Sequence, residues 1–94
     1  MRPFPRIPEP SWPAMRAAGK AAAATLAPVG RQLRPGMSTA DIDRLVREHT
    51  RQLGGTPSQL GYKGFPAAVC TSRNNVVCHG IPNDTEIIEE GDII

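Results

Sequence analysis

GYKGFPAAVCTSRNNVVCHGIPN, residues 61–83, is the stretch whose reading decides the fold. Gly61 and Gly64 bracket Tyr62, and Phe65-Pro66 follows. Glycines at that spacing let the backbone approach a ligand closely while two aromatic rings face it. Ala67–Ser72 and Val76–Gly80 read as two strands, with Arg73-Asn74-Asn75 between them. Asparagine tolerates positive φ, so a tight hairpin turn is expected there. A two-residue turn at Asn74-Asn75 sets Cys70 opposite His79 and Thr71 opposite Cys78. A three-residue loop sets Cys70 opposite Cys78 and sends His79 to the other face. The first register is preferred. His79 ends the second strand just before Gly80 and Pro82, a place from which an imidazole projects into a cleft or bonds a local carbonyl.

Upstream lie two helical patterns. Met15, Ala18, Ala22, Leu26, Val29 and Leu33 recur at three- and four-residue steps, with Ser11 as a cap and Pro13 in the first turn. That face is mostly alanine, so its partner is expected to approach closely. Pro28 removes the N–H that Ala24 needs, which predicts a kink or break near Ala27. Pro35-Gly36 ends the segment. Ser38 and Thr39 are candidate caps for a second helix from about Thr39 to Leu53, with Asp41 in its first turn. Ile42, Leu45, Val46, His49 and Leu53 share one face of it. His49 reads as a packed or half-exposed histidine rather than a ligand. Residues 54–66 are loop. Residues 81–91 are an acidic loop interrupted at Ile87-Ile88, and Gly91-Asp92-Ile93-Ile94 begins a third strand.

Composition sets the limits. Leu, Ile, Val and Phe together number 19 of 94 residues, matched by 19 Gly and Pro, so the core is thin. Residues 1–10 are a flexible proline-rich leader, and 11–94 form one unit. Pro5-Arg6-Ile7-Pro8 and Pro10-Ser11-Trp12-Pro13 both match PxxP, which suits a polyproline reader or a plain linker. Apolar runs fall far short of a membrane span, and the start lacks an apolar signal segment. Cys70 and Cys78 fit no CxxC pair or longer framework and read as free thiols of a cytoplasmic chain. Residues 1–36 carry six basic groups and one acid, whereas residues 82–94 carry five acids and no base. A basic head suits an RNA-rich surface such as the ribosome, or is simply a solvated face. No HExxH, CxxC or paired-carboxylate motif offers a metal site.

The GYxGFP loop (61–66), Cys70, Ser72 and Asn74 in a C-x-S-x-N stretch, and VVCHGIP (76–82) together resemble the N-terminal part of a type I methionine aminopeptidase. Met15–Gly19 and Arg34–Thr39 resemble that family's first helix and the link to its second. Glu90-Gly91-Asp92-Ile93-Ile94 resembles the lead-in to its first metal-ligand strand.

The resemblance implies an α+β (α/β) chain: the N-terminal half of a pita-bread fold, two helices followed by a β-hairpin and the start of a third strand. It implies a metal-dependent exopeptidase that removes the initiator methionine from nascent polypeptides. By position, His79 would hydrogen-bond the scissile peptide as the catalytic residue, and Tyr62, Phe65 and Cys70 would join it in lining the methionine pocket. Asn74 and Val76 resemble positions near a monovalent-cation site. The complete enzyme would carry two divalent ions (Co, Mn, Fe, Zn or Ni) on two aspartates, a histidine and two glutamates. None of those ligands, nor the catalytic glutamate, can be assigned here. The implied chain is an incomplete, inactive, metal-free monomer, with no membrane or specific DNA partner. The alternative is a non-catalytic pita-bread relative that binds a protein or RNA.

Overall fold

The computed structural model describes residues 4–94. Its elements are helix α1, Trp12–Gln32, and helix α2, Thr39–Gln52, with 3-10 turns at Glu9–Ser11 and Tyr62–Gly64. Among the described residues no helix is long and apolar enough to cross a membrane.

Helix α1 starts where the sequence places it, but Ser11 does not cap it with its side chain. The 3-10 turn runs straight into the helix, so Ser11 already has helical backbone (φ −91°, ψ −6°) rather than the extended conformation from which a cap side chain accepts a first-turn N–H. The indole Nε1–H of Trp12, the first helical residue, donates instead to the Ile7 carbonyl at 3.0 Å. The expected break near Ala27 is absent: α1 runs unbroken through Pro28. Two features offset the missing bond. Ala24 is exposed, so water can reach its carbonyl, and Val29, next to Pro28, is buried and holds the last turn in place.

Helix α2 is held by a reciprocal cap. The Asp41 N–H donates to Ser38 Oγ at 3.1 Å, and the Ser38 N–H donates to Asp41 Oδ2 at 2.9 Å. Gly54, with φ +75°, lets the chain leave the helix. His49 is half-buried on α2, its Nε2 3.3 Å from Gln32 Nε2 at the end of α1.

The core is Val29 of α1, Ile42 of α2 and Ile88, with Leu33, Met37, Leu45, Val46 and Val69 packed around them. Ile88 was expected in an acidic loop. It is buried because residues 86–88 run antiparallel to 36–39: the Gly36 N–H donates to Ile88 O (2.8 Å), the Ile88 N–H to Met37 O (2.7 Å) and the Thr39 N–H to Glu86 O (2.9 Å).

The hairpin and the third strand do not form ladders among the described residues. The turn is present: the Val76 N–H donates to Arg73 O at 3.1 Å, and Asn74 has φ +52°. Beyond it, one backbone bond joins the two arms, from the Thr71 N–H to Gly80 O at 2.8 Å. That pairing matches neither expected register. Side chains take bonds a ladder would give to main chain: the Gly80 N–H goes to Ser72 Oγ, and the Ile93 N–H to Asn74 Oδ1. His79, at φ +56°, also bends the second arm out of extended geometry. Segment 91–94 meets the turn through one further bond, from the Asn74 N–H to Ile93 O at 2.8 Å.

Among the described residues the alanine face of α1 meets no close partner. Ala18 and Ala22 are exposed and border an open groove of about 930 Å³ whose other walls include Val46, Val69 and Ile94.

Candidate active site

The GYKGFP loop is shaped by its own backbone. Gly61, Lys63 and Gly64 all have positive φ (+78°, +49° and +81°), and the Gly61 N–H donates to Phe65 O at 2.9 Å, closing the loop on itself. Lys63 is in the left-handed region, which costs a non-glycine residue about 1 kcal/mol. Its ammonium lies 5.4 Å from the centre of the Tyr62 ring, a cation–π contact. Tyr62 is exposed and Phe65 half-buried, so the loop offers one ring to solvent and one to the body of the fold.

Ala67 and Ala68 come next and are buried, which anchors the loop. Cys70 follows, half-buried with a free thiol; Cys78 is free and exposed. On the second arm, Gly80 is pressed against the Thr71 backbone: a Cβ there would lie 2.1 Å from Thr71 O. Only glycine fits such an approach, and it fixes where its neighbour His79 stands.

Tyr62, Phe65, Cys70 and His79, the four residues singled out by sequence, all line one cavity of about 530 Å³, together with Gln59 and Ile81. Cys70 and Gln59 also line the larger groove, so both stand between the two hollows. Gln59 and Ile81 were missed as wall residues. Ile81 sits two positions after His79 and could have been found by that adjacency; nothing local marks Gln59. Asn74 and Val76 stand apart, outside the residues lining this cavity.

The cavity suits a flexible apolar side chain with a soft heteroatom. It has aromatic edges, a thiol in one wall and a single imidazole able to donate or accept a hydrogen bond. Asp92, which does not line the cavity, anchors the 73–76 turn. The Asn74 amide, the Glu89 N–H and the Arg73 guanidinium all donate to its carboxylate, at 2.9, 2.7 and 2.6 Å, and hold its pKa down at about 2.

Divalent ions do not fit the residues present. Among the described residues no three His, Cys, Asp or Glu side chains gather closely enough to hold a metal ion.

The model of the metallopeptidase family M24 matches residues 13–94. Methionine aminopeptidase 2 of Mycobacterium tuberculosis is 50% identical over 80 residues, which are 85% of this chain and 28% of that protein. The crystal structure of methionine aminopeptidase from Rickettsia prowazekii superposes with a TM-score of 0.87 at 40% identity, covering 96% of this chain and 36% of that one. That of Thermotoga maritima methionine aminopeptidase superposes with a TM-score of 0.90 at 38% identity, again covering 96% and 36%. The pita-bread expectation thus holds at the level of fold neighbours, while the chain spans little more than a third of their length. With 82 consecutive residues matched, from Pro13 to Ile94, the chain belongs to metallopeptidase family M24.

Proposed function

We infer that this chain is the part of a methionine aminopeptidase that grips the substrate's first side chain. The single observation that carries the reading is the convergence of Tyr62, Phe65, Cys70 and His79 on one cavity, from positions spread over the 61–83 segment. An N-terminal methionine would enter between the aromatic edges and the Cys70 sulfur. The His79 imidazole would hydrogen-bond the peptide beside it and favour the charge that develops as the bond is cut. Relatives named methionine aminopeptidase at this level of identity support the same activity.

In the complete enzyme the reaction is release of the initiator methionine from nascent polypeptides. Two divalent ions (cobalt, manganese, iron, zinc or nickel) would be held by side chains other than those present here. The reading further makes the enzyme a cytoplasmic monomer, with the basic 1–36 region, net +5, turned towards the ribosome and 1–10 as a flexible leader.

A chimera tests this. Residues 13–94 replace the matching stretch of the Mycobacterium tuberculosis relative, and methionine release from a Met-Ala-Ser peptide is followed with added cobalt or manganese. Turnover is expected, and His79→Ala should lower kcat by at least about a hundredfold with metal content unchanged. A correctly folded, metal-loaded chimera that releases no methionine, or equal losses of metal and rate in the histidine variant, overturns the assignment.

A further inference from the structure

Two buried polar residues on α2 have no part in the function above. Thr39 is fully buried and Asp43 is 8% exposed. They stand four residues apart, on one helix face, separated by about 6 Å along the axis. Neither lines the cavity.

Each holds one of its walls. Asp43 Oδ1 accepts the Ala68 N–H at 2.7 Å, between the aromatic loop and Cys70. Its other oxygen accepts from Arg47 Nε at 2.8 Å, and Arg47 Nη2 reaches the Pro66 carbonyl at 3.5 Å. Thr39 grips Asn83, four residues after His79: its Oγ1 accepts the Asn83 N–H at 3.0 Å and donates to Asn83 O at 3.2 Å. The Ala40 N–H also donates to Asn83 O, at 3.1 Å. The Phe65–Cys70 wall thus hangs from one turn of α2, and the His79–Ile81 wall from the turn before it.

We propose that Thr39 and Asp43 are a pair of positioning residues, a two-point clamp by which one turn of α2 sets the width of the pocket and its selectivity for methionine. The selectivity rests on the pocket reading above; the clamp itself does not. A rigid helix is a better spacer than the loops it holds, because its rise is set by its own hydrogen bonds. Substituting one clamp residue should therefore release one wall and leave the other in place.

The 94-residue chain allows the two walls to be read separately. It has one tyrosine, so 3-fluorotyrosine labelling gives a single 19F line from Tyr62 on the aromatic wall. It has two histidines, so His79 gives one of two imidazole signals. Asp43→Leu keeps the side-chain shape without the acceptor, and Thr39→Val does the same for the hydroxyl. In Asp43→Leu, exchange of the Ala68 amide should quicken at least about tenfold and the Tyr62 line should move, with Asn83, His79 and the α2 amide of Val46 unchanged. In Thr39→Val, Asn83 and His79 should respond, with Ala68, Tyr62 and Val46 unchanged. The conservative Asp43→Asn and Thr39→Ser, which keep an acceptor, should restore most of the protection and serve if the apolar variants unfold.

Titration with L-methionine and L-leucine completes the test. The wild-type chain should prefer methionine, and each apolar variant should lose at least about threefold of that preference. If Ala68, Asn83 and Val46 exchange faster together in either variant, or if the released amides leave Tyr62 and His79 unmoved, the clamp is refuted. If the wild-type Tyr62 and His79 lines ignore methionine, the pocket reading and the selectivity fall, while the amide pattern still decides the clamp.

Discussion

Replacing Gly80 with alanine should be among the most damaging small changes in this chain. The added methyl carbon would lie 2.1 Å from Thr71 O, 2.7 Å from the Thr71 carbonyl carbon and 3.0 Å from the Ser72 Cα. All three are backbone atoms, so no side chain can swing away. Relief requires the two arms to part by about 1 Å, at the one backbone bond that joins them, Thr71 N–H to Gly80 O at 2.8 Å. Overpacking of this kind costs about 1–3 kcal/mol, and losing the bond about 1 kcal/mol more. A total near 2–4 kcal/mol is a large part of the ~5–14 kcal/mol that a chain of this length has. Urea unfolding followed by far-ultraviolet circular dichroism measures it, with the His79 imidazole signal as a reporter of the displaced arm. Gly19→Ala is the control: nothing lies within 4 Å of that Cβ, and a helix-interior alanine should stabilise by about 0.5–1 kcal/mol. If Gly80→Ala stays within about 0.5 kcal/mol of the parent, the close approach is not the constraint argued here.

Three further outcomes are expected. The Asp92 carboxyl is depressed from 3.8 to about 2, so its contribution to stability is complete above about pH 4 and is lost as the pH falls through about 2; Asp92→Asn should lower the urea midpoint at pH 7 and flatten that acid limb, and an unchanged limb would exclude Asp92 as its source. Ser38→Ala removes one half of the α2 cap and should cost about 1 kcal/mol in the same unfolding assay, whereas Ser11→Ala, at a position without a cap bond, should cost almost nothing. Thr71 Oγ1 is buried with no hydrogen-bond partner among the described residues, so Thr71→Val should leave the thermal midpoint unchanged or raise it; a drop of several degrees would reveal a bond the structure does not contain.

Local chemistry was legible in the sequence where it was strong. The α2 boundaries follow from Ser38, Asp41 and Gly54, because cap and stop act within one helical turn. The turn at 73–76 follows from an asparagine that tolerates positive φ. The four residues of the candidate pocket were named through the resemblance of the 61–83 segment to the methionine aminopeptidases, and they line one cavity in the fold. Of the kink or break expected at Pro28, the break does not occur, because propensity says nothing of Val29 being held on the far side by Ile42 and Ile88.

Periodicity, caps and turn chemistry are short-range, and the sequence alone determined two helices, a glycine-shaped aromatic loop and a histidine ahead of a Gly–Pro turn; that Gly80 can only be glycine follows from its approach to the Thr71 backbone in the fold. The partners across the chain belong to the tertiary structure. Asp43 meets the Ala68 N–H over 25 residues and Thr39 meets Asn83 over 44, and neither spacing leaves a pattern in the sequence. The register of the 67–80 arms was likewise decided in three dimensions, where Ser72 and Asn74 side chains displaced the ladder that alternation suggested. Residue type settles which groups need a hydrogen-bond partner, but which partner each one finds depends on how the helices bring distant segments together.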